Sequence, residues 1–131
     1  MFVDASALTS MITGEADATE LLARLGNHGA RETSPLAVWE TVVAVSRILD
    51  LSVTDGQAEV EAFMRSLEIE VRQVSAESRA LAISAFARYG KGRHPAALNF
   101  GDCFAYACAQ EAGGIMLYKG DDFPLTDIRA A

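Results

Sequence analysis

Four acidic residues of this chain stand in apolar or turn settings rather than on the polar stripe of a helix. Asp4 closes the apolar run Met1-Phe2-Val3, and Glu40 lies inside Pro35-Leu36-Ala37-Val38-Trp39-Glu40-Thr41-Val42-Val43. Asp102 follows Asn99-Phe100-Gly101 at the opening of a helical stretch. Asp122 lies in Lys119-Gly120-Asp121-Asp122-Phe123, behind the apolar run Ile115-Met116-Leu117-Tyr118. A carboxylate taken out of water is costly unless something positive meets it. A divalent cation gathers several at once, and hard oxygen donors without histidine or thiolate partners favour Mg²⁺ or Mn²⁺ over zinc. Such an ion activates water and neutralises charge at a phosphate, so the chemistry indicated is metal-dependent phosphodiester hydrolysis.

The elements that would position these acids are legible from periodicity and caps. Phe2-Val3 reads as a short buried strand, and Ser6 is placed to cap a helix through Ala7, Leu8, Met11 and Ile12. A second helix is predicted from Glu15 to Leu25, stopped by Gly26-Asn27. Ser34-Pro35 starts a third that runs to about Leu51, and Thr54-Asp55 opens a fourth carrying Val60, Phe63, Met64 and Leu67. Ile69 and Val71 alternate with polar residues as a strand does. Ala76 to Tyr89 is helical, Gly92 to Phe100 irregular, and Asp102 to Ala112 helical up to Gly113-Gly114. Ile115 to Tyr118 is a buried strand, and Leu125 to Ile128 would add an edge strand.

Short strands alternating with helices give an α/β fold with a mainly parallel sheet covered on both faces. Ligand sites of such sheets gather at the carboxyl ends of the strands. Asp4 and Asp122 each follow a predicted strand, Asp102 opens a helix on that rim, and Glu40 leans over it from the second turn of its helix. Each acid also has a structural explanation, as strand end, solvated helix flank, helix-start residue or turn residue. Their common placement on one rim is what those explanations leave over. Trp39 beside Glu40 is expected in the core, not as a base-stacking platform.

Composition bounds the rest. With 131 residues, 50% of them hydrophobic and only three prolines, the expectation is one domain spanning residues 1–131. A formal charge of −7 argues against a sequence-independent coater of DNA. Cys103 and Cys108, five apart on one helix, suit neither a disulfide nor a metal-ligand spacing, and read as small hydrophobes in a reducing cytoplasm. The N-terminus has no basic stretch before an apolar one, so no secretory signal is expected. No apolar run reaches about 18 residues, so no membrane span is expected. His28 and His94 show no ligand spacing and read as surface or hydrogen-bonded histidines.

Phe2-Val3-Asp4-Ala5-Ser6-Ala7-Leu8, Ser34-Pro35-Leu36-Ala37-Val38-Trp39-Glu40-Thr41, Asn99-Phe100-Gly101-Asp102-Cys103-Phe104-Ala105-Tyr106-Ala107 and Tyr118-Lys119-Gly120-Asp121-Asp122-Phe123 together resemble the motif blocks of PIN-domain ribonucleases. More narrowly they resemble VapC toxins of bacterial type II toxin–antitoxin systems, and Ala87 to His94 resembles a feature of one VapC subgroup. The resemblance implies a three-layer α/β/α sandwich with a short, mainly parallel central sheet. It implies an endoribonuclease that cleaves RNA with metal-activated water, using one or two Mg²⁺ or Mn²⁺ ions. By motif, Asp4 and Asp102 are the principal metal ligands, Glu40 the third acid and Asp122 the fourth, with Asp121 adjacent and Ser6 steadying the site. The implied partners are an RNA substrate, a VapB-type antitoxin that covers the acids, and a second copy of the chain or a hetero-oligomer with the antitoxin.

Arg88, Lys91, Arg93 and His94 form the densest basic cluster of an acidic chain, so Arg88, Lys91 and Arg93, with Lys119 beside the site, are the expected phosphate contacts. Leu8, Met11, Ile12, Leu21 and Leu22 offer more apolar surface than a small core obviously needs and would suit an antitoxin. Two other classes compete: a catalytically silent protein-binding module, and a phosphatase with an aspartate nucleophile. The second is disfavoured because Asp4-Ala5-Ser6 lacks an acid two residues on.

Overall fold

Phe2 and Val3 send their side chains to opposite faces of a strand, and that alternation organises the whole molecule. The computed structural model describes residues 1–131. In chain order the elements are β1 (Phe2–Val3), α1 (Ala5–Thr13), α2 (Ala18–Gly26), β2 (Arg31–Thr33), α3 (Pro35–Ile48), α4 (Val53–Ser66) and β3 (Ile69–Val71). They continue with α5 (Ala76–Tyr89), α6 (Phe100–Glu111), β4 (Ile115–Leu117), a 3₁₀ turn at Phe123–Leu125, and β5 (Arg129–Ala130). The sheet is parallel throughout, in the order β3-β2-β1-β4-β5.

Phe2 pairs with Met116 and Val3 with Leu117, so each face of the central strands is continuous. Phe2 and Met116 join α5 and α6 in one core, with Ala82, Ala85, Tyr89, Leu98, Tyr106 and Phe123. Val3 and Leu117 join α1 to α4 in the other, with Leu8, Met11, Leu21, Leu25, Val45 and Val60. The result is the expected three-layer α/β/α sandwich. Leu8, Met11 and Leu21 are therefore ordinary core, and of the surplus apolar residues only Leu22 is exposed, with Ile12 half-buried.

Several local readings need correction. Asp4, not Ser6, caps α1, because a single residue separates β1 from the helix and must serve both. The strand Arg31–Thr33 has no apolar signature; backbone pairing to β1 and β3 defines it, and Thr33 Oγ1 donates to the Val3 carbonyl at 2.9 Å. α2 begins at Ala18, α3 ends at Ile48, and α4 is capped by Ser52. The edge strand is Arg129–Ala130, with Ile128 buried ahead of it. Trp39 is 67% exposed: α3 buries Ala37, Thr41, Val42 and Val45, and residue 39 falls on the opposite side of the helix. At Gly56 a Cβ would lie 2.0 Å from Ser46 Oγ, so glycine is what lets α4 pack directly on α3.

Candidate active site

Because every strand runs the same way, the chain leaves the sheet repeatedly on one rim. Asp4 leaves β1 there, and its N–H donates to the Leu117 carbonyl at the end of β4 (2.9 Å). As the N-cap of α1, its Oδ2 accepts from both the N–H (3.0 Å) and the hydroxyl (2.5 Å) of Ser6. Ser6 Oγ in turn accepts from the Lys119 N–H at 3.0 Å, tying the exit of β4 to the start of α1. Ser6 is thus hydrogen-bonded both to the Asp4 carboxylate and to the residue two positions beyond β4.

Ser34 ends β2 and caps α3, its hydroxyl accepting from the Ala37 N–H, with proline at the first helical position. Glu40 lies in the second turn of that helix, half-buried. Asn99 caps α6 in a reciprocal box. Its Oδ1 accepts from the Asp102 N–H (3.0 Å), and Asp102 Oδ2 accepts from the Asn99 N–H (2.8 Å). Between them stands Gly101, where a Cβ would lie 2.1 Å from Glu40 Oε1. Glycine is therefore what lets the Glu40 carboxylate rest against the start of α6. The sequence Asn-Phe-Gly-Asp carried this signal, but only the packing of α3 shows what the glycine is for.

The electrostatics mark these acids as a group. Burial pushes the Asp4 carboxyl up, against the Ser6 hydrogen bonds that lower it. Burial also raises Glu40, and the charges of Asp4 and Asp102 add to it. Asp102 is raised by burial and by Asp4 and Asp122, opposed by its Asn99 hydrogen bond. None of Asp4, Glu40, Asp102 and Asp122 has an ion-pair partner. Asp121 and Asp122 are both exposed, and it is Asp122 whose charge Asp102 senses.

No three acid, histidine or cysteine side chains stand close enough to share one ion as they are oriented. The cap bonds occupy only Oδ2 of Asp4 and Oδ2 of Asp102, however, and the Glu40 oxygens accept none. All the donors are hard carboxylate oxygens, partly or wholly buried at Asp4, Glu40 and Asp102 and without an ion pair. That donor set fits Mg²⁺ or Mn²⁺. Of these acids Glu40 lines an open groove of about 350 Å³, together with Ser6, Glu15, Arg47 and Lys119. Larger clefts, about 540 and 480 Å³, lie around β2 and β3 away from the acids. An open groove is the form that admits a polymer.

A family model described as PIN domain matches residues 1–128. The chain belongs to the PIN-domain family. It is 39% identical to a VapC ribonuclease of Rhizobium meliloti, covering 97% of this chain and 98% of that protein. It is 37% identical to ribonuclease VapC of Mycolicibacterium smegmatis, over 99% and 98% of the two. Ribonuclease VapC30 of Mycobacterium tuberculosis is 34% identical over 98% of this chain and 95% of its own. The crystal structure of Mycobacterium tuberculosis VapC20, described as a toxin that cleaves the sarcin–ricin loop, superposes with a TM-score of 0.72 at 20% identity, covering 98% of each chain. That last likeness speaks to the fold.

The basic residues expected at the phosphate fall into two sets. Arg88 is ion-paired to Asp127 at 2.9 Å, and Lys119 is paired to Glu15 and to Asp17. Lys91 and Arg93 are exposed without ion pairs, with the Arg93 guanidinium 5.3 Å from the Phe86 ring centroid. His94 Nδ1 accepts from the Ala96 N–H, and its ring meets Tyr89 edge-on, so it is a loop-ordering residue. Cys103 and Cys108 are free; burial lifts the Cys108 thiol to about 11, which keeps it protonated and unreactive. No helix is long and apolar enough to cross a membrane.

Proposed function

We propose that this chain is a metal-dependent endoribonuclease, the toxin of a type II toxin–antitoxin pair, acting as one PIN domain in the cytoplasm. The observation that carries this reading is the trio Asp4, Glu40 and Asp102. These are three partly or wholly buried carboxylates at the carboxyl rim of a parallel sheet, all raised by burial, with Asp4 further raising Glu40 and Asp102, and none is ion-paired to a basic side chain. A fold that leaves such charge unbalanced has a cation as its natural complement. The names of its relatives supply the substrate class, RNA.

Asp4 and Asp102 would hold one or two Mg²⁺ or Mn²⁺ ions, with Glu40 and Asp122 completing the set. Bound there, the ion supplies a lowered water pKa and neutralises charge on the scissile phosphate. The chain's own part is to position. Ser6 fixes the rotamer of Asp4, the Asn99 box fixes that of Asp102, and Gly101 leaves room for Glu40. His94 is taken up in ordering its loop, so a carboxylate of the rim is left to orient the attacking water. Lys91 and Arg93, unpaired on an exposed loop, are the phosphate contacts this reading favours. Rim carboxylates without an ion pair also suit an arginine from a VapB-type antitoxin, and a homodimer accords with the same reading.

The test is to map new RNA 5′ ends in cells expressing the wild type and Asp102→Asn, and to repeat the cleavage in vitro with Mg²⁺, Mn²⁺ or EDTA. The reading requires discrete cuts that need the metal and vanish in the variant. Metal-dependent cleavage by purified Asp102→Asn would refute it.

A further inference from the structure

The open groove of about 350 Å³ beside the rim follows one face of α3. Glu40, Ala44, Arg47 and Ile48 line it, and the spacing i, i+4, i+7, i+8 is that of a single helical face. Ser6 of α1 and Lys119 beyond β4 line it as well. Seven residues at the helical rise put Glu40 and Arg47 about 10 Å apart along the axis. They fall on the same side of the helix, because seven residues are two turns to within about 20°. Between the two, α3 lines the groove only with the methyl group of Ala44.

The two basic residues of the groove differ in what holds them. Lys119 is paired with Glu15 and with Asp17. Arg47 is exposed and enters no ion pair. A cation at position 44 would be a helical neighbour of Glu40, whereas position 47 is a full turn beyond that reach. The groove therefore presents a rim acid at one point and, two turns on, a guanidinium whose five donors no carboxylate of the chain meets.

Charges spaced in this way select among ligands. A lone anion would need only Arg47, and a lone cation only the acids. A polymer that repeats a negative charge along its length uses both, one phosphate at the acids through a bound cation and a neighbouring one at the guanidinium. The planar fork of arginine matches two oxygens of a phosphate.

We propose that Arg47 is a phosphate-binding residue for RNA, holding a phosphate next to the scissile one and so fixing the register in which the strand crosses the acids. The inference rests on the ribonuclease reading above and deepens it. Lys91 and Arg93 lie on a loop that does not line this groove, so Arg47 adds a cation inside it. The competing task for Arg47 is to complement the C-terminus of α3, in whose last turn it lies. The two tasks move different observables.

Initial rates on an RNA oligonucleotide carrying the mapped cut, taken with the full chain at saturating Mn²⁺ over a range of salt, separate them. Arg47→Gln is expected to raise KM about fivefold at low salt and to leave kcat unchanged. It should also flatten the dependence of log KM on log salt by about 0.7, the share of one phosphate on a single strand. Arg47→Lys keeps the charge but not the fork, and should recover the salt slope with only part of the KM. Methylphosphonate RNA, with one backbone charge removed at a time, locates the contact. A position beside the cut should raise KM for the wild type and have no further effect in Arg47→Gln. Wild-type KM and salt slope in Arg47→Gln would overturn the proposal. A lower thermal midpoint with those two unchanged would overturn it in favour of the helix terminus. A fall in kcat at unchanged KM would also overturn it, as would methylphosphonate losses of equal size in both proteins. The underlying reading fails separately. A wild type that neither cuts nor binds RNA at saturating Mn²⁺ removes the ribonuclease itself, whereas a wild type that cuts no better than Arg47→Gln removes only the contact at Arg47.

Discussion

Glu15, Asp17 and Asp127 each face a lysine or arginine, whereas Asp4, Glu40 and Asp102 face one another, although the two sets sit on neighbouring elements. The shifts run in opposite directions. The Ser10 hydroxyl, followed by Lys119, holds Asp17 low, and the Tyr106 hydroxyl, followed by Arg88, holds Asp127 low. Burial holds the rim acids high, and neighbouring acids add to it at Glu40 and Asp102. A chain able to pair its acids with cations within a few residues of the rim has nevertheless left the rim unpaired. Acids that shape the structure are neutralised internally, and acids left over are available to something from solution.

The largest expected effect comes from breaking the unpaired set. Asp4→Asn or Asp102→Asn is expected to reduce RNA cleavage at least about a thousandfold, equivalent to roughly 4 kcal/mol of transition-state stabilisation, measured as initial rate at saturating Mn²⁺. Each variant should stay folded, because asparagine keeps the carbonyl oxygen that accepts the Ser6 or Asn99 cap bond. Removing a paired acid, as in Asp17→Asn, should leave the rate within a few-fold. A comparable collapse there would erase the distinction between the sets.

Second in size is the response to the cation itself. At a hundred times its dissociation constant a bound ion adds about 2.7 kcal/mol to stability. The wild-type thermal midpoint should accordingly rise on adding Mn²⁺ and fall back with EDTA, while that of Asp102→Asn should hardly move. An equal Mn²⁺ response in both proteins would place the cation elsewhere.

Smaller still is the effect of crowding one rim acid without neutralising it. In Gly101→Ala the new methyl group meets the far end of the Glu40 side chain, which can swing away. Stability should therefore change little, while cleavage falls about tenfold, about 1.4 kcal/mol. A Gly101→Ala protein that unfolds instead would show the glycine serving α3–α6 packing and not the carboxylate.

How much of this was readable in advance depended on whether an element announces itself by side chains or by pairing. The apolar run ending in Asp4, the Ser34-Pro35 start and the Gly113-Gly114 stop carry local chemistry, and all three elements stand where that chemistry puts them. Arg31–Thr33 carries none, since a three-residue strand between two neighbours is defined by their backbones, and it was not legible. Trp39 misled because apolar residues flank Glu40 on both sides, while only one side of α3 is buried. Asp4 and Asp102 could be placed because one ends a strand and the other opens a helix, whereas Glu40 sits inside its helix and only its apolar surroundings mark it. The paired acids could not be placed. The pairings of Arg88 with Asp127 and Lys119 with Asp17 span 39 and 102 positions of sequence, and no local pattern announces a contact of that kind.

The finest test of the comparison uses metal-free protein and opposite signs. Asp127 has a folded pKa below its unfolded value of about 4. Its contribution is therefore complete above about pH 4 and is lost as the pH falls through the depressed folded value. For a half-exposed carboxylate accepting one tyrosine hydrogen bond that contribution is about 1 kcal/mol or less. Asp4 has a folded pKa above its unfolded value. Below about pH 4 both states of the chain hold that proton and nothing is lost. As the pH rises through the raised folded value, the unfolded chain is already ionised while the folded one resists, so stability drains away. In EDTA at pH 7, Asp4→Asn should thus melt a few degrees above the wild type and Asp127→Asn slightly below it. Both differences should shrink as the pH approaches 3. An Asp4→Asn protein less stable than wild type at pH 7 would mean that the Ser6 bonds outweigh burial. The rim would then differ from the paired acids in position only and not in balance of charge.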